Sequence, residues 1–295
     1  MNAVNESWSR HLPYVLLALR VVAAVLFFQH GAQKLWGFTG SSAVTVDELL
    51  TTQRGIAGLL ETIGPALLAA GFLTRFTAFI LCGEMAVAYF QSWAPRSVWP
   101  ITNGGEEAVA FCYLFLWMVF TGPGAWSVDG WLERRRLAAG RRPTPLKTWL
   151  ATWEPQARSV LRVVVGFLIV QHGARKALGL LTVVVGGRTG VPPLAIDGLP
   201  AWTGYVDLAA GALLMVGLFT RPAAFVVAIE LLAAYVMVAA PRGPWPIRNG
   251  GGEALIEAGI LAVFVICGAG AWALDRMRRP MLEPEPPTAT GRSTV

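Results

Sequence analysis

The chain has 295 residues, of which 55% are hydrophobic and only 14% charged. Soluble globular chains carry about 25% charged residues, so the composition excludes an ordinary water-soluble domain and points to lipid as the solvent. The 24 Lys and Arg exceed the 18 Asp and Glu by six, but their placement, described below, argues against nucleic acid as a partner.

A helix needs about 20 mostly apolar residues to cross a ~30 Å hydrocarbon core. The hydropathy pattern predicts spans at about 14–37, 54–73, 76–93, 105–124, 160–183, 200–219, 222–240 and 253–273. The first run follows an acid and no small-residue cleavage site, so it reads as a retained helix and not a signal peptide. Loops rich in Pro, Gly and Asn separate the spans, and a basic, Pro-broken segment divides the halves. The organisation expected is a first four-helix unit at 1–130, a cytoplasmic basic linker at 131–157, a second unit at 158–276 and a disordered cytoplasmic tail at 277–295. The predicted fold class is all-α: an integral membrane protein of eight transmembrane helices, built as two parallel-repeat four-helix bundles.

The halves are copies. Leu19-Arg20-Val21-Val22 recurs as Leu161-Arg162-Val163-Val164, and Gln29-His30-Gly31-Ala32 as Gln171-His172-Gly173-Ala174. Trp99-Pro100-Ile101 recurs as Trp245-Pro246-Ile247, and Asn103-Gly104-Gly105 as Asn249-Gly250-Gly251. An even number of spans per copy makes both enter from one side, related by a pseudo-twofold axis along the membrane normal. Most Lys and Arg fall on the side holding both termini and the linker, which by the positive-inside rule is cytoplasmic. The protein is thus expected in the cell membrane with both termini cytoplasmic.

Charges in a bilayer core cost roughly 2.5–3.5 kcal/mol each even on mild scales, and so mark sites. In the first half they are His30, Lys34, Glu61, Glu84 and Glu107; in the second, His172, Lys176, Asp207, Glu230 and Glu253. Each has a counterpart of its own chemical type, whereas Glu106 and Glu257 have none. His30 and Lys34 are i and i+4 on one helix face. At 1.5 Å per residue Glu61 lies about 10 Å deep and Glu84 near the midplane. Glu84 is expected to be an ionised carboxylate paired with Lys34 or His30. Tyr89 and Tyr235 are expected to face away from the cluster. A structural ion-pair network competes with a site as the reason for these charges. Helix capping explains Glu107 poorly, because the recurring acid is not the one at the cap. Thr74-Arg75 and Thr220-Arg221 read as topology anchors. Cys82, Cys112 and Cys267 lie in apolar runs without metal, disulfide or activating spacing and read as packing residues.

The motifs R-x8-Q-H-G-x2-K-x2-G, G-x2-T-R and W-P-I-x-N-G-G-x-E-A, present here from Arg20 to Gly37, Gly71 to Arg75 and Trp99 to Ala108, resemble the DoxX/DoxD family of small four-helix membrane proteins. Both halves carry them, in a fusion of what is usually a single unit. The resemblance implies a membrane subunit of a thiosulfate:quinone oxidoreductase or of a thiol-linked oxidoreductase complex, but no agreed catalytic set.

Three function classes fit. In a quinone-linked redox component, His30 with Glu61 or Glu84 would serve the quinone carbonyls. No haem, iron–sulfur or dinucleotide motif is present, so no intrinsic cofactor is expected beyond a bound quinone. Electrons would then come from a soluble or membrane oxidoreductase partner. A proton-coupled transporter of a small molecule or lipid fits the parallel repeats and midplane carboxylates, but no span reads as broken and the charges cluster outward instead of lining a path. A membrane-embedded acid–base enzyme acting on a lipid or isoprenoid is the third. In all three, a small apolar ligand is expected in the outer half of each bundle, between the first, second and fourth helices. Gly104-Gly105 and Gly250-Gly251, with Asn103 and Asn249, would offer amides to its oxygen, and Trp99 and Trp245 would be lids.

Overall fold

The computed structural model describes residues 11–142, 144–181, 184–185, 188–189 and 199–277. In order the helices are α1 (Leu12–Trp36), α2 (Gln53–Ala70), α3 (Thr74–Ala88), α4 (Pro100–Asn103), α5 (Glu106–Thr121), α6 (Val128–Ala138) and α7 (Pro145–Thr152). They continue as α8 (Glu154–Leu178), α9 (Thr203–Val216), α10 (Thr220–Ala234), α11 (Pro246–Asn249), α12 (Gly252–Cys267) and α13 (Leu274–Met277). A two-residue antiparallel ladder, Val184–Val185 with Arg188–Thr189, follows α8. The expected tail from residue 278 onward, with Arg278 and Arg279, and most of the segment at 182–198 lie outside the described residues.

Among the described residues, three helical stretches are long and apolar enough to cross a membrane: Leu12–Trp36, Glu154–Leu178 and Thr220–Arg242. Large side chains such as Phe76, Phe79, Phe90, Phe225 and Met237 are left exposed. In water such a surface would be a liability; against lipid it is the wetted face.

The segment read as a linker at 131–157 is mostly helix. Ser127 caps α6 by accepting the Gly130 N–H at 3.1 Å, Pro145 opens α7, and α8 already starts at Glu154. Capping and N-terminal prolines account for these short helices within the basic segment.

Helix pairs repeat between the halves. In the first, α1 packs on α2, α2 on α3 and α3 on α5; in the second, α8 packs on α9, α9 on α10 and α10 on α12. Gly31 permits the first crossing, since a Cβ there would lie 2.6 Å from the Glu61 backbone. Gly173 permits the second, 2.6 Å from the Leu208 amide. Small residues at such crossings let backbones approach closely, and here they bring Lys34 and Lys176 to the acids of the neighbouring helix. The halves join through α5 and α12, each packed on the other and on the first helix of the opposite half.

Where α2 turns into α3, Asp129 accepts the N–H groups of Leu73 at 2.9 Å and Thr74 at 2.8 Å. Asp275 does the same for Phe219 at 2.8 Å and Thr220 at 2.9 Å. A carboxylate at a helix N-terminus answers orphan donors and the positive helix end. Leu73 and Phe219 pay for the turn with φ of 49°. Arg75 donates to the Phe120 carbonyl at 2.7 Å, and Arg221 to that of Ile266 at 3.2 Å. The Thr-Arg arginines therefore tie down the last carbonyls of α5 and α12, beyond any role in setting topology.

Both α3 and α10 end in a five-residue π-helical turn, Tyr89–Trp93 and Tyr235–Ala239. The helical path continues through these wider turns, as Thr220–Arg242 shows. Such wide turns concentrate at functional sites.

Candidate functional site

In the first half, α1, α2, α3 and α5 surround a cavity of about 650 Å³. His30, Lys34, Glu61, Glu84 and Glu107 all line it, against walls that include Phe27, Leu60, Ile80, Met85 and Phe111. His30 Nε2 lies 3.5 Å from Glu107 Oε1. Lys34 Nζ is paired with Glu61 Oε2, and Gly31 makes the approach possible. The cavity reaches α3 as well as the three helices expected from the sequence. It opens there at Gly83, where a Cβ would meet nothing within 4 Å.

Glu84 departs from its expected pairing. Both its carboxylate oxygens are buried without a hydrogen-bond partner among the described residues. Lys34 is taken by Glu61, and His30 by Glu107. The expectation treated charges by type and depth, but one ammonium on α1 meets the acid of α2 before it can reach that of α3.

The second half makes the other choice. Lys176 Nζ lies 2.7 Å from Asp207 Oδ2 and 2.7 Å from Glu230 Oε1, answering both acids at once. Asp207 is one methylene shorter than Glu61 at the equivalent place, and the ammonium here also reaches the acid of the third helix. His172 Nε2 lies 3.3 Å from Glu253 Oε1. This cluster is closed: the Lys176 side chain is 4% exposed against 25% for Lys34, and His172 2% against 26% for His30.

The residues expected to offer amides divide. Gly104, with φ of 78°, lines the cavity. The Gly105 N–H is taken by Asn103 Oδ1 at 2.8 Å, and that of Gly251 by Asn249 Oδ1 at 2.8 Å; Gly250 takes φ of 73° at the equivalent bend. Asn103 also donates to the Ser97 carbonyl at 2.9 Å and to the Tyr89 hydroxyl at 3.2 Å. Tyr89 thus packs over Gly105, where any Cβ would meet its ring at 2.7 Å. Trp99 does not line the cavity and stacks on Phe167 of the other half, with ring centres 6.0 Å apart. Trp245 meets Phe38 edge-on at 5.0 Å. The tryptophan at the cavity is Trp93, supplied by the π-helical turn.

Glu106, without a counterpart in the repeat, was set aside in the sequence. It crosses to the second half, where its Oε1 lies 3.2 Å from His172 Nε2. The signal that could have found it is the mismatch itself, an acid in a membrane helix where the other copy has Gly252.

The fold and this polar-lined cavity define a membrane-embedded helical protein with two related, diverged clusters of charged side chains. The chain belongs to the DoxX family, whose model matches residues 15–92 and 157–240. An uncharacterized protein of Haemophilus influenzae is 40% identical over 127 residues, covering 41% of this chain and 92% of that relative. No solved structure matches.

Proposed function

We propose that the protein is a quinone-linked component of a membrane redox complex, holding a small apolar ligand with a carbonyl head in the first half. The architecture proposed is eight spans as two four-helix bundles, with both termini cytoplasmic. The shorter helices are completed by the Pro-, Gly- and Trp-containing turns at their ends. The cavity carries the reading: about 650 Å³ lies within the usual range for small-molecule sites, mostly apolar with a few convergent polar groups.

A quinone supplies two-electron, two-proton chemistry when bound, and the residues present fit its demands. The ammonium of Lys34, held by Glu61, offers a donor to a carbonyl oxygen. His30, oriented by Glu107, can hold or release a proton at Nε2. Glu84 accepts no competing hydrogen bond from the described residues and is free to exchange a proton with the cavity. Phe27, Ile80 and Phe111 exclude water from the tail. The electron source is a soluble or membrane-bound oxidoreductase partner, since no redox-centre motif occurs in the sequence. The same unpartnered Glu84 favours a second reading, a membrane-embedded acid–base enzyme acting on a lipid or isoprenoid.

Solvent extraction of protein purified in mild detergent, followed by chromatography, separates the two. Quinone enriched over a matched His30→Phe/Lys34→Met preparation supports the first reading. Equal quinone in both, with another lipid lost from the variant, supports the second.

A further inference from the structure

Where the halves meet, the second cluster gains a residue from the first. Nε2 of His172 faces Glu106 Oε1 at 3.2 Å and Glu253 Oε1 at 3.3 Å. The three donor atoms lie within 4.8 Å of one another. A single ring nitrogen cannot direct one proton along both lines, and Glu106 Oε1 makes no hydrogen bond. One turn along α12, Glu257 is fully buried, with both oxygens unpartnered among the described residues. It stands close enough to both glutamates to act on their charge.

We infer that Glu106, His172 and Glu253 form a site for one divalent first-row transition-metal ion, with Glu257 beside it as a further carboxylate donor. Charge supports this. Three carboxyls in a water-poor interior can all be ionised only when positive charge answers them; the nearby guanidinium of Arg175 supplies one charge, and Lys176 is engaged by Asp207 and Glu230. A divalent ion supplies the other two charges and takes the place of the protons the buried carboxyls would otherwise keep. One imidazole with two or three carboxylates suits Zn²⁺, Mn²⁺ or Fe²⁺ better than an all-oxygen cation. The site is single because the residue equivalent to Glu106 is Gly252. In the first half that position faces Glu107, whose Oε1 would lie 2.6 Å from an added Cβ. The ion therefore stands apart from the cavity of the first half and pins the halves together.

The test uses the full chain, purified in detergent without an oligohistidine tag, stripped with chelator, dialysed against Zn²⁺ or Mn²⁺ and measured by elemental mass spectrometry. One ion per chain is expected. Glu106→Gly, which copies the other half, should weaken binding at least ten-fold while elution stays monodisperse, and His30→Asn should leave the count at one. If the glycine variant aggregates, Glu106→Gln takes its place. Uptake of neither ion by monodisperse wild type overturns the assignment. So does stoichiometric binding that survives loss of Glu106.

Discussion

The side-chain oxygen of Gln171 accepts the amide N–H of Ile101 at 3.3 Å, across the junction between the halves. Gln29 accepts that of Ile247 at the same distance, so each half anchors the start of the short helix in the other. Gln171 and Ile101 are buried, and an unsatisfied buried donor costs about 1–3 kcal/mol. Gln171→Leu should therefore lower thermal stability in detergent by that order, and adding Gln29→Leu should lower it further, near additively. An unchanged melting temperature in both single variants would show that the junction does not depend on these bonds.

The two lysines should differ in what they hold. Removing Lys34 strands one buried acid, Glu61, whereas removing Lys176 strands Asp207 and Glu230 together. Breaking a buried ion pair costs about 3–5 kcal/mol. Lys176→Met should destabilise clearly more than Lys34→Met in thermal unfolding. The reverse order would mean that the ammonium of Lys176 does not serve both acids.

Much of this was legible in the sequence because the chain repeats itself. Duplication marked His30, Lys34, Glu61, Glu84 and Glu107 with their partners, and the 1.5 Å rise per residue put all but Glu84 at similar depth, with Glu84 nearer the midplane. It could not show which acid a shared lysine would take, since that turns on one methylene between Glu61 and Asp207. Nor could it show Glu106, whose role exists only once α5 packs against α8. The capping acids Asp129 and Asp275 share the repeat offset but sit in polar turns, where an acid attracts no notice. The π-helical turns begin at Tyr89 and Tyr235, whose rings pack over the glycines at 105 and 251, a tertiary contact that no local pattern announces.

Topology has a direct check at Gly140, an exposed position beyond α6. A Gly140→Cys variant on a background with Cys82, Cys112 and Cys267 replaced should react with a membrane-impermeant maleimide only after permeabilisation. Labelling in intact cells would invert the proposed orientation.

The contact between α6 and α7 should depend on acid. Glu133 Oε2 accepts from Lys147 Nζ at 2.6 Å, which holds its carboxyl below the ordinary value of 4.5. A depressed carboxylate contributes stability above that ordinary value and loses it as pH falls through the folded value. Proteolysis between residues 139 and 144 should therefore quicken as pH drops below about 4.5, by a small factor because the pair is exposed. Lys147→Met should remove that pH step; an identical step in the variant would assign it to another group.

Ligand binding should depend on the open space of the cavity beside Gly83. The second half has Ile229 at the equivalent place, so Gly83→Ile copies a residue the same fold already tolerates, and Gly in a helix interior costs about 1 kcal/mol relative to good helix formers. The decisive measurement is a titration of wild type and Gly83→Ile with a short-tailed benzoquinone analogue, read by quenching of Trp93 fluorescence against a Trp93→Phe control. Wild type should saturate, and Gly83→Ile should bind at least ten-fold more weakly with its melting temperature equal or higher. Equal affinity in a stably folded Gly83→Ile protein would contradict the account.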